Sequence, residues 1–228
     1  MQKNKSYIWI SFIILVFGIY AVPKIINRIK NGDVVVNDRL NNENFSKSVV
    51  SSLYKVGDVP EFSLTNQNNK TITSHSFLGK VYVIEFFFST CPTICPIMNK
   101  NMVDIQNTFI NNSSFGIASI TINPENDTPE ILKQHAEFLK ITSPNWHFLT
   151  GDKDYILNLS NKGFNLYAAQ NPKINGGFEH SGLFALVDKN GKIRSRKDQF
   201  GNAIVYYDGI EKKGIEMIKE DIKILLKE

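Results

Sequence analysis

Two cysteines are all that this 228-residue chain contains, and they lie four positions apart, at Cys91 and Cys95, in Phe-Phe-Phe-Ser-Thr-Cys-Pro-Thr-Ile-Cys-Pro. Thiolates are soft donors suited to copper(I) and other thiophilic ions. One thiolate of such a pair can also attack a disulfide while its neighbour resolves the mixed species. The pair can therefore bind a metal, exchange disulfides, or do both. Two cysteines do not make a disulfide framework.

Two sulfurs do not complete a metal site, and imidazole suits copper in either oxidation state. Four histidines could supply it. His135 falls inside a helical pattern, His75 in a polar turn, and His147 between Trp146 and Phe148 at a short strand. His180 follows a loop with Asn171-Pro172 and Gly176-Gly177 and directly precedes the apolar run Leu183 to Val187. A loop histidine entering a strand can be carried over the cysteines, which puts His180 ahead of the other three. Met98 and Met102 are chemically suitable copper(I) ligands, but their helical spacing is better explained by core packing. Asp127, Thr128 and Glu130 resemble an acid cluster, yet helix capping accounts for them more simply. The run Arg194-Ser195-Arg196-Lys197 reads as a solvated strand or turn.

The elements around these residues read as α/β. Val81 to Phe88 is nearly all apolar, the pattern of a strand buried on both faces. Met98, Met102, Ile105 and Phe109 then mark one face of a helix. The cysteines thus fall between a strand and a helix, at a carboxyl end where open α/β sheets place their sites. If the turn is already helical, a spacing of four brings both sulfurs to one face. The helix N-terminus favours thiolate, and Pro96 fits the first turn, where its missing N–H is not needed. Phe115 to Ile122 predicts a second buried strand, Thr128-Pro129-Glu130 the start of a helix to about Lys140, and Trp146 to Phe148 a short strand. A helix from Asp152 to Asn161, a strand over Leu183 to Val187, a partner from Lys192 and a closing helix from Ile210 to Leu226 follow. Val59 to Leu64 and Lys70 to Thr73 predict a hairpin. The order is thioredoxin-like, with a sheet flanked by helices.

The net charge of +4 is misleading, because residues 1–30 hold five bases and no acid, leaving 21 bases against 22 acids elsewhere. That distribution gives no nucleic-acid footprint. Tyr7 to Val22 is an uncharged stretch of 16 residues between basic flanks, slightly short of the roughly 20 a spanning helix prefers. Without a convincing cleavage site, it reads as an uncleaved, single-pass anchor with the globular domain exported, on the periplasmic side in a Gram-negative cell. Residues 1–24 are then anchor and flanks, 25–52 a polar tether, and 53–228 the domain. In an exported chain two neighbouring free thiols are a liability without a task, which disfavours a purely structural pair.

Four blocks, in this order, resemble the Sco/SenC family: the Phe-Phe-Phe-Ser-Thr-Cys-Pro-Thr-Ile-Cys-Pro run with Met98 beyond; Ile122 to Glu130; Phe148-Leu149-Thr150-Gly151; and His180-Ser181-Gly182 leading to Leu186-Val187-Asp188. Tyr207-Asp208-Gly209 is a weaker fifth. The resemblance runs from about Val56 to Gly209. It implies a thioredoxin-fold copper protein, with copper(I) or copper(II) held by Cys91, Cys95 and His180. It further implies delivery to the binuclear copper centre of cytochrome c oxidase, so that the oxidase's copper-binding subunit is the expected partner. Thr93 and Ile94 stand where the family often has an acidic residue, and Asn123 where it often has Asp. A thiol–disulfide oxidoreductase that reduces the oxidase's copper-binding cysteines, with Cys91 and Cys95 as a redox-active pair, is the alternative. A copper or redox sensor also stays open. A peroxidase shares the fold but lacks here its single cysteine in a Thr-x-x-Cys context.

Overall fold

The computed structural model describes residues 6–30 and 53–228. The first segment is one helix, α1 (Ser6–Lys30), which continues through Pro23 and takes in Ile25 to Lys30. The expected tether is thereby shortened at its start, and its remainder lies outside the described residues. Trp9, Ile13, Ile14, Phe17 and Tyr20 are all exposed. Among the described residues no helix is long and apolar enough to cross a membrane.

The second segment is built on a sheet in the order β1-β10-β9-β4-β5-β6-β2-β3. Its strands are β1 (Tyr54–Asp58), β2 (Ser63–Asn66), β3 (Thr71–Thr73), β4 (Val81–Phe87), β5 (Phe115–Thr121), β6 (Trp146–Thr150), β9 (Leu183–Val187) and β10 (Lys192–Ser195). A short β11 (Tyr207–Asp208) pairs with β9, and β7 (Ala168–Gln170) forms a separate ribbon with β8 (Phe178–His180). The helices are α2 (Cys95–Phe109), α3 (Pro129–Phe138), α4 (Lys153–Asn158) and α5 (Lys212–Lys227).

The two apolar runs become the middle of the sheet. Every residue of β4 and of β5 is buried, and the two strands pair in parallel from Val81↔Phe115 to Phe87↔Thr121. Parallel pairing requires a crossover, which α2 supplies; α3 then carries the chain from β5 to parallel β6. Two right-handed crossovers advancing the same way place both helices on one face. The α2 face predicted from spacing is buried as expected, with Met98, Met102 and Ile105 wholly inaccessible. The methionines are thus core residues. The β2–β3 hairpin also forms as expected.

Three elements escaped the sequence: β1, the β7–β8 ribbon and β11. Each is short, and none alternates clearly. Residues 194–196 also differ from the expected solvated run. Ser195 and Arg196 are buried, and Arg196 donates from Nε and an Nη to Asp221 of α5 at 2.9 and 2.8 Å. A guanidinium there is tolerated because a carboxylate, the Met217 carbonyl and Glu220 satisfy it together.

Candidate metal centre

β4 ends at Phe87, and the chain leaves the sheet through a tight turn in which the Cys91 N–H donates to the Phe88 carbonyl. The helix begins only at Cys95, with Ile94 as its cap and Pro96 in the first turn. Cys91 therefore lies in the loop and not on a helical face, contrary to the simplest reading of the spacing. Pro92 gives the reason, since a residue before proline is disfavoured in the α conformation. The sulfurs are brought together by the loop's fold-back, not by one helical turn.

The strand direction brings in the histidine. β9 runs antiparallel to β4, with Tyr82↔Val187 and Ile84↔Ala185 in register. Residues just before β9 consequently lie beside those just after β4. His180 closes the β7–β8 ribbon, its ring edge-on to Phe88 at 5.9 Å. The ribbon's turn packs back on the cysteine loop at Gly176, which has φ +91°; a Cβ there would meet Pro92 Cδ at 3.0 Å and Phe88 at 3.1 Å. Gly176→Ala should therefore cost about 1–3 kcal/mol through backbone strain. Thermal melting would register the loss, and a metal titration would register the displaced loop.

Cys91, Cys95 and His180 are all buried, and their donor atoms lie within 4.8 Å of one another. Among the described residues this is the one such group of three. His180 Nδ1 donates to the Ser181 carbonyl at 2.9 Å, which orients the ring and turns Nε2 toward Cys95 Sγ, 3.1 Å away. This is how a ligating histidine is commonly oriented. An ion about 2.0–2.3 Å from each donor needs them roughly 4 Å apart, so the set suits a soft ion after a small adjustment. Both thiols are free.

The two sulfurs differ electrically. Cys91 is held well below the usual thiol range, chiefly by a hydrogen bond from the Cys95 thiol, with His180, the Cys95 backbone N–H and Thr93 adding to it against desolvation. Cys95 is pushed up, because its proton serves that bond and burial disfavours its charge. The resting pair is thus one thiolate and one thiol.

The other histidines lie elsewhere. His75 is exposed in a 3₁₀ turn, His135 stacks on Phe87 beside Asn99, and His147 packs on Phe77 near Asn66. Of the supposed capping cluster, Thr128 does cap α3. Asp127 does not: it is fully buried and accepts from the Ser89 N–H at 3.0 Å, the Ser89 and Thr121 hydroxyls, and Asn126. It straps the residue two places before Cys91 to the end of β5. Only its position in a Pro-rich turn after a strand hinted at that role.

The fold and the convergent Cys, Cys, His donors define a thioredoxin-like α/β domain with a candidate soft-metal centre. The chain belongs to the SCO1/SenC family, whose model matches residues 55–213. It is 32% identical over 168 residues to the SCO1 protein homolog of Bacillus subtilis, covering 73% of this chain and 81% of that one. Among solved structures, BsSco is 30% identical with a TM-score of 0.63, covering 76% of this chain and 97% of its own; it is described as having a disulfide switch and as a member of the Sco family of cytochrome c oxidase assembly proteins. Yeast Sco1 with copper bound is 27% identical with a TM-score of 0.55, over 73% of this chain and 89% of that one.

Proposed function

We propose that this protein carries copper to the binuclear copper centre of a cytochrome oxidase, holding it on Cys91, Cys95 and His180. The observation that supports this most directly is the convergence of two sulfurs and a pre-oriented imidazole nitrogen at one buried point. Copper bound to the yeast relative and the oxidase-assembly role given for BsSco and its family point the same way. The α1 helix, uncharged from Tyr7 to Val22 and basic beyond, is read as the anchor holding the domain on the exported side of a membrane. The oxidase's copper-binding subunit is the proposed acceptor.

Copper is cargo here. The thiolate of Cys91 supplies the first donor, Cys95 the second once its proton leaves, and His180 Nε2 the third. The apolar walls of Phe88 and Phe178 limit access of water. Transfer by stepwise exchange with acceptor thiols suits such a site, because each sulfur can be replaced in turn. Anaerobic titration of the reduced full chain with copper(I) tests the reading: one ion per chain is expected, and none in Cys91→Ser.

The unequal thiols yield a second expectation. Near neutral pH one proton, that of Cys95, should be released per copper(I) ion bound, and affinity should rise about tenfold per pH unit. Calorimetry in buffers of different ionisation enthalpy counts that proton. Release of two would mean that Cys91 is not a resting thiolate.

The paired thiols also favour a thiol–disulfide role: Cys91 is poised to attack and Cys95 to resolve, and BsSco is described with a disulfide switch. That activity needs no imidazole ligand, which separates it from copper carriage.

A further inference from the structure

The loop between β4 and α2 is held on both sides of its cysteine pair, and on one side by a carboxylate with no solvent exposure. Asp127, in the turn after β5, has both oxygens filled. Oδ2 accepts from the Ser89 N–H at 3.0 Å and the Thr121 hydroxyl at 2.5 Å; Oδ1 accepts from the Asn126 amide at 2.7 Å and from the Ser89 hydroxyl. Its own N–H donates to the Asn123 carbonyl at 2.9 Å, and Thr121 Oγ1 accepts from the Asn123 N–H, so the turn that carries it is itself braced. Burying a carboxylate is costly unless donors replace its water, and Ser89, two residues before Cys91, supplies both a backbone and a side-chain donor. α3 does not need Asp127, because Thr128 caps that helix. On the other side, Cys95 is the first residue of α2 and 2% exposed, on a helix whose Met98 and Met102 are wholly inaccessible.

We propose that Asp127 is a positioning residue for the cysteine pair: through Ser89 it holds the loop in the open dithiol form and so opposes closure of a Cys91–Cys95 disulfide. This deepens the reading of those cysteines as a copper site, and rests on it only for the copper arm of the test. Both thiols are free, and the donor atoms of the three-residue group lie within 4.8 Å of one another. A disulfide needs its sulfurs about 2.05 Å apart in a restricted geometry. Cys95 cannot supply that approach without shifting α2, so the movement falls on Cys91 and the backbone leading to it from Ser89. The bonds to Asp127 resist that movement, because a buried carboxylate that loses donors is left unsatisfied. Closure itself joins the two sulfurs and releases two electrons. A disulfide reagent accepts them, its own S–S bond breaking to two thiols with protons from the pair and from water. Cutting the strap removes the resistance and moves the exchange toward the protein disulfide.

The test is the thiol–disulfide equilibrium of the full chain without metal, set against reduced and oxidised dithiothreitol and read by alkylating the free thiols. Asp127→Asn keeps the shape but turns an N–H toward donors. It should shift the equilibrium about tenfold toward the protein disulfide, a fall of about 30 mV in reduction potential. Ser89→Ala keeps the backbone bond and loses the hydroxyl, so it should move the potential the same way by less. The double variant should go no further than Asp127→Asn, since both cut one connection. Asp221→Ala is the control: it weakens the packing of α5 and should leave the potential unchanged. If Asp127→Asn does not fold, Ser89→Ala decides. An unchanged or raised potential overturns the proposal, and so does an equal fall in Asp221→Ala, which would trace the effect to lost stability. On the reduced chain, copper(I) competition with a chromophoric chelator should show a complex about tenfold weaker in Asp127→Asn. Failure of the native chain to bind copper overturns the metal site and leaves the potential to judge Asp127.

Discussion

Replacing His180 with alanine should lower copper(I) affinity about a hundredfold or more while leaving thiol–disulfide exchange nearly intact. Loss of an outer partner that merely orients a ligand costs some 10–100-fold in metal-site affinity, and removing the ligand itself should cost at least the upper end. The imidazole enters the site with its ring oriented by Ser181 and its Nε2 aimed at the sulfurs, so little ordering remains to be done when an ion arrives. The same substitution removes one of the hydrogen bonds holding Cys91 below the usual thiol range, though not the largest, which comes from Cys95. Cys91 should thus remain a competent nucleophile. Competition with a chromophoric chelator measures the first effect and reduction of a model disulfide the second. Unchanged copper affinity would remove His180 from the site. A large fall in reductase turnover would mean the imidazole serves the thiols and not a metal.

Asp221→Ala should destabilise the domain by about 3–5 kcal/mol, the cost of breaking a buried ion pair by deleting one partner. Asp221 has no solvent exposure and accepts from Arg196 Nε, an Arg196 Nη and the Tyr207 hydroxyl. Deletion strands a buried guanidinium and a buried phenol together. For a domain of this size each kcal/mol lowers the melting temperature by roughly 2–4 °C, so a fall on the order of 10 °C is expected in a thermal scan. The companion experiment replaces both charges with Arg196→Met and Asp221→Leu. The double variant should lose much less than the single one, because no unpaired charge is left. Equal losses would show that α5 is held by its apolar face alone and that the pair contributes little.

Both expectations turn on residues that the linear chain presents unequally. The apolar β4 and β5 runs and the α2 stripe are local patterns, and the structure places them as read; the Cys91–Cys95 pair sits at the predicted strand end, but with Cys91 in the loop. Arg196 reads as solvated because it sits in a run of charged residues; its partner is 25 positions away on α5. Asp127 looked like a cap because it adjoins one, whereas its partners at Ser89 and Thr121 are supplied by other elements. Glu85 drew no comment in an apolar strand, since a carboxylate oxygen buried there without a partner is visible only in three dimensions.

What the sequence determined by itself is everything set by periodicity and residue type: the α/β class, the buried central strands, the helix after the cysteines, and a soft donor pair at a strand's end. The loop-to-strand position and the family resemblance had pointed to His180, and the tertiary structure is what places its Nε2 3.1 Å from Cys95 Sγ. Of the four histidines, His180 lies just before the strand that runs antiparallel to β4. Register also set Ser119 across from Glu85. Strand order and direction are agreements between distant segments, and no local pattern encodes them.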